Sequence, residues 1–159
     1  MEFLNEIDLY LRAKATLMIV ISAEEERILE ELKTLCLNTG RSCVSWDIAD
    51  GFQSVCGALL PAGGRDPLTA LEQIENADAR QPSLYILKDF NEFWENTTVK
   101  RKLRTLAEQL KFTKKSIVIT AASARIPVEL LDESVILDYP LPNLDQLEEV
   151  LNKLQLTPG

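Results

Sequence analysis

Thr16-Leu17-Met18-Ile19-Val20-Ile21-Ser22-Ala23-Glu24-Glu25-Glu26-Arg27 is the stretch that decides the fold. Its first six residues form a mostly apolar run of strand length, the pattern of a strand covered on both faces and therefore central in its sheet. Ser22, with Glu25 three residues on, reads as a capping box, and Ile28, Leu29, Leu32, Leu35 and Cys36 then recur at helical intervals until Gly40. A strand thus feeds a helix through a turn that holds neither glycine nor lysine. Phosphate cradling at such a turn needs glycines for close backbone approach, a lysine for the outer phosphates and a Ser or Thr for magnesium. Here Glu24, Glu25 and Glu26 occupy the place. They satisfy the partial positive charge of the helix N-terminus themselves and would repel a polyphosphate.

Outward from this unit, strands and helices alternate. Leu4 to Ala15 carries Leu4, Ile7 and Leu11 on one helical face. Strands are predicted at Ser42 to Ile48, Leu84 to Leu87, Ser116 to Thr120 and Val135 to Leu137. Between them lie helical segments at Pro67 to Ala77, Thr98 to Phe112 and Val128 to Leu131. The alternation implies right-handed crossovers and helices on both faces of the sheet. The expected fold class is α/β, in three layers, with a mostly parallel five-stranded sheet. After Pro140-Leu141-Pro142, Asn143 reads as a helix cap, and Leu144, Leu147, Val150, Leu151 and Leu154 share one face. An apolar stripe so close to residue 159 predicts a continuation that would cover it.

The 159 residues suit one domain with a real core, and the net charge of −8 argues against broad nucleic-acid binding. No run approaches the roughly 20 apolar residues of a membrane span, and no basic-then-apolar leader opens the chain, so the expectation is an intracellular protein without membrane insertion. Cys36, Cys43 and Cys56 form no CxxC pair, so reduced, packed thiols are expected in place of a zinc site. The absence of histidine removes the usual general base and any Ser/His or Cys/His relay. No catalytic or metal-ligating set emerges.

Leu137-Asp138-Tyr139-Pro140-Leu141-Pro142, followed by a helix, resembles the junction between the α/β core and the helical lid of AAA ATPases. Glu24-Glu25-Glu26-Arg27, Trp46 to Gln53, Leu87-Lys88-Asp89-Phe90 and Arg101-Lys102-Leu103-Arg104 are similar to one subgroup, the uncharacterised AAA proteins of cyanobacteria and plastid genomes. The resemblance implies a degenerate AAA-like core over residues 1–139 and the start of a truncated lid or linker over 140–159. It also implies a genuine ATP- and magnesium-using AAA module further along, with no cofactor in the present segment. A cytosolic or stromal location, near photosynthetic regulation, follows from the resemblance alone. By position, Asp89 corresponds to the aspartate that helps hold magnesium, and Thr120 to the polar sensor of the next strand. The catalytic glutamate normally follows that aspartate, but Phe90 stands there and Lys88 interrupts the apolar run before it. Without a positioned carboxylate and a cationic cradle, phosphoryl transfer loses its main contributions.

The remaining candidates each carry a plain and a functional reading. Glu24 to Glu26 form a well-capped helix start, or a contact for a basic partner surface. Gly57 to Asp66 is the glycine-rich stretch, but its spacing, its arginine in place of lysine and its position after the second strand mark a flexible connection. Lys100, Arg101, Lys102 and Arg104, with Lys111, Lys114 and Lys115, make a solvated helix face or a contact surface. Such a surface meeting the Glu24 to Glu26 turn of another copy would give head-to-tail association of the kind that closes rings. Nucleic acid fits these cations poorly, because no aromatics interleave with them. Arg125 reads as a loop arginine with a nearby carboxylate, or as a residue offered to a neighbouring subunit. Trp46, Phe52, Phe90, Phe93 and Trp94 are core, or a recognition patch. The function expected is a regulatory, protein-binding or assembly module without catalysis; the alternative is an atypical nucleotide-binding domain completed by a neighbouring subunit.

Overall fold

The computed structural model describes residues 2–57, 60–61, 63–78, 81–123 and 125–139; the helix expected after Pro142 lies outside them. Helix α1 (Glu2–Arg12) precedes strand β1 (Leu17–Ile21), which leads to α2 (Glu25–Thr39), β2 (Ser42–Asp47) and β3 (Gly51–Cys56). Then follow α3 (Pro67–Asn76), β4 (Ser83–Lys88), α4 (Thr97–Gln109), β5 (Lys115–Ala121), α5 (Val128–Leu131) and β6 (Val135–Asp138). They form one sheet in the order β3-β2-β4-β5-β1-β6, parallel except for the β2–β3 pair. β1 is central, between β5 and β6, as its apolar run requires.

Side chains of β1 alternate between two cores. Leu17 and Ile19 pack with α3 and α4, whereas Met18 and Val20 pack with α1 and α2. This period of two across a doubly covered strand produces the three layers. Helix α2 ends where Gly40 takes a left-handed conformation at φ 70°, its N–H bonding the Cys36 carbonyl.

The sheet has six strands where five were expected. The additional strand, β3, pairs antiparallel with β2 at the sheet edge. Asp47 reverses the chain there: its Oδ1 accepts from the N–H groups of Ala49 (2.9 Å) and Asp50 (2.7 Å), and Gly51 follows at φ 71°. The strand escapes a periodicity reading because Gln53 and Ser54 are both exposed, which breaks the alternation. The connection after β3, expected to be flexible, is anchored where the Gly64 carbonyl accepts from the Trp46 indole at 3.0 Å.

The capping box at Ser22 is also corrected. Ser22 N–H bonds the Ala121 carbonyl at 2.8 Å, which holds this residue in sheet geometry, so α2 begins later. Glu24 occupies the N-cap position and its side chain makes no cap bond; Ser22 Oγ accepts from Glu24 N–H at 3.0 Å instead.

Candidate functional site

The carboxyl ends of β1, β4 and β5 converge at the start of α2, where open α/β sheets place their ligands. Ser22, Ala23, Glu25, Asp89, Thr120, Ala121 and Ala122 line a cleft of about 220 Å³ there. Asp89 follows β4 directly. Its N–H bonds the Thr120 carbonyl at 2.8 Å, and its backbone is left-handed at φ 55°, a conformation aspartate tolerates better than most residues. Thr120 is buried, and its Oγ1 has no hydrogen-bond partner.

The electrostatics of this end are acidic. Burial raises the Glu25 pKa; Lys88 opposes the rise, while Asp89, Asp47 and Glu26 add to it. Lys88 forms an ion pair with Asp47 at 3.9 Å. Glu24 pairs with Arg27 at 2.9 Å, leaving Glu26 exposed. Phe90 is fully buried in the core. Asn91 was not singled out by sequence reading, yet its Nδ2 ties this segment to the Ser123 carbonyl at 3.2 Å and its Oδ1 is buried without a partner. A polar residue two positions after the strand-end Asp89 is its sole signal.

The structure thus brings Glu25, Asp89 and Thr120 together. It does not bring the basic residues to them, because α4 packs on the opposite face of the sheet from α2. Much of the basic set is paired within the domain: Lys100 with Glu129 (3.6 Å), Lys102 with Glu75 (2.8 Å) and Lys111 with Glu133 (3.3 Å). Lys115 is buried and belongs to no surface. Its Nζ donates to the carbonyls of Ile74 (2.7 Å), Glu75 (2.9 Å) and Ala77 (3.0 Å), closing the C-terminus of α3. Arg101 is exposed, and Arg104 Nε is buried without a partner. Arg125 is exposed on the connection between β5 and α5 and has no ion pair among the described residues.

The aromatic set is core. Trp46, Phe90 and Phe93 meet edge to face with centroids 5.7–5.9 Å apart, and Trp94 and Phe52 are buried beside them. Among the described residues no group of three or more His, Cys, Asp or Glu side chains suits a metal ion, and no helix is long and apolar enough to cross a membrane.

A strand feeds a helix at a central position of the sheet, and Asp89 and Thr120 line one cleft beside that turn. The family described as SpoVK-like AAA ATPase, N-terminal domain, matches residues 3–139. The chain belongs to that family. It is 35% identical over 162 residues to an uncharacterised AAA domain-containing protein, ycf46, of Guillardia theta, an alignment covering 100% of this chain and 31% of the relative. The proteins of the same description from Trieres chinensis and Pyropia yezoensis are 34% and 32% identical over 155 residues, covering 97% of this chain and 31% of each relative. The chain spans about a third of the length of these relatives, so it represents the N-terminal part of AAA ATPase-like proteins.

Proposed function

We propose that this SpoVK-like N-terminal domain is a non-catalytic module that binds protein and regulates or assembles the AAA ATPase to which it belongs. The observation that carries the reading is the pairing of Glu25 and Asp89 on one small cleft at the start of α2. Phosphates there would face carboxylates without a glycine-rich backbone, with Lys88 nearby already paired to Asp47, and like charge opposes their entry. Assembly is supported by the placement of the Glu24–Glu26 turn and of Arg101, Lys102 and Arg104 on opposite faces of one copy. Surfaces so separated meet between copies and generate head-to-tail contacts. The protein so assembled would work in a cyanobacterial cytosol or plastid stroma, with ATP and magnesium used by another part of its chain.

A second reading has one observation in its favour: Asp89 and Thr120 line the same cleft. In it, a neighbouring subunit supplies the missing cations and the site holds a nucleotide. Calorimetric titration with ATP and ADP in magnesium, with Asp89→Ala as control, separates the two. The module reading expects no heat at millimolar nucleotide. Saturable micromolar binding abolished by Asp89→Ala would overturn it.

A further inference from the structure

The cleft at the carboxyl end of the sheet gathers two carboxylates and a buried hydroxyl that has no hydrogen-bond partner. Thr120 is 2% exposed, yet Oγ1 makes no hydrogen bond, and buried hydroxyls in folded proteins are rarely left so. It pairs in register with Val20, whose side chain packs toward α2, and it lines the cleft with Ser22, Glu25 and Asp89. The two carboxylates only accept hydrogen bonds when ionised, and Ser22 Oγ already accepts from Glu24 N–H. Lys88 is paired with Asp47. A guest suited to this lining brings several N–H donors and a positive charge together.

Size and chemistry narrow the guest. The cleft of about 220 Å³ falls below the roughly 300–1,000 Å³ of pockets that hold drug-sized ligands, but it admits the head of one side chain. A bare metal ion lacks the ligand set here. A guanidinium carries five N–H donors in a plane, is weakly hydrated and spans separated acceptors, whereas an ammonium is a compact, strongly hydrated point charge. We propose that the cleft receives the guanidinium of an arginine presented by a partner protein, held by the carboxylates of Glu25 and Asp89 with Thr120 Oγ1 as the buried acceptor. This rests on the reading of the domain as a partner-binding module and names the group it binds.

The test titrates the 15N-labelled 159-residue chain with N-acetyl-arginine amide at low salt, and with the neutral citrulline counterpart, following the amides of Ser22, Asp89 and Thr120. The expected result is saturable millimolar shifts at these positions for arginine, at least tenfold weaker for citrulline. Thr120→Val is expected to weaken the arginine response at least threefold while raising the melting temperature, so loss of binding is not loss of fold. Equal responses to arginine and citrulline, or an unchanged response in Thr120→Val, would overturn the proposal. Magnesium ATP is titrated in parallel. Saturation by ATP at the same amides sinks the non-nucleotide reading itself, whereas silence toward both ATP and arginine sinks only the arginine assignment.

Discussion

Lys115 and Thr120 stand near opposite ends of β5, and each is 2% exposed. At the amino end, Lys115 Nζ makes three hydrogen bonds to backbone carbonyls that α3 would otherwise leave orphaned. At the carboxyl end, Thr120 Oγ1 makes none, and Thr120 lines a cleft with Glu25 and Asp89. One strand thus carries a buried polar group whose bonding is complete within the fold and one whose bonding is not. The first explains itself as structure. The second is what a site looks like when its partner comes from outside.

The comparison breaks most easily at Lys115. Lys115→Met leaves the α3 carbonyls without a donor, and the expected destabilisation is about 3 kcal/mol, since charged hydrogen bonds contribute about 1.5–3 kcal/mol and unsatisfied buried groups cost about 1–3 kcal/mol. Urea unfolding followed by tryptophan fluorescence measures it; a loss below about 1 kcal/mol would mean that water replaces the lysine and that the two ends of β5 do not differ. Thr120→Val sharpens the contrast with the opposite sign. Removing an orphaned hydroxyl for a methyl of similar volume is expected to stabilise the fold by about 1 kcal/mol, read in the same experiment.

Glu25→Gln tests the electrostatics of the cleft. Burial raises the Glu25 pKa, so the folded state holds its proton more tightly than the unfolded chain does. Its favourable contribution is present below the ordinary glutamate value of roughly 4.3 and is lost as pH rises through the raised folded value. The stability of the variant relative to the parent is therefore expected to climb with pH from acid to neutral; a flat difference would place Glu25 in solvent. The smallest effect on stability is expected from Arg101→Glu, within about 0.5 kcal/mol for an exposed position. If Arg101 contributes to association between copies, sedimentation at low salt will show that association falling in the variant while the melting curve stays in place.

Much of the architecture was legible because hydrophobic period survives in the sequence. β1, β5 and the helices α2 and α4 bury continuous or regularly spaced apolar residues, and each lies within a few residues of its expected bounds. β3 was not legible, since an edge strand with one exposed flank needs no apolar alternation, and its signal lay in the Asp50-Gly51 turn. Asp89 and Thr120 were named from a family resemblance, position by position. Their sharing of a cleft with Glu25 depends on three strands ending together, which no local pattern contains.

The sequence alone determined that the turn after β1 carries carboxylates in place of glycine and lysine, because composition at a fixed site is a local property. It also determined the α/β class, because burial on two faces or one is written into the spacing of apolar residues. Only the tertiary structure decided that Lys115 is a buried helix cap while Lys100, Lys102 and Lys111 are paired, and that Thr120 lacks a partner. A lysine in a row of lysines looks the same in sequence whether water or a helix end solvates it. What separates the cases is which carbonyls the packing of α3 against β5 leaves within reach.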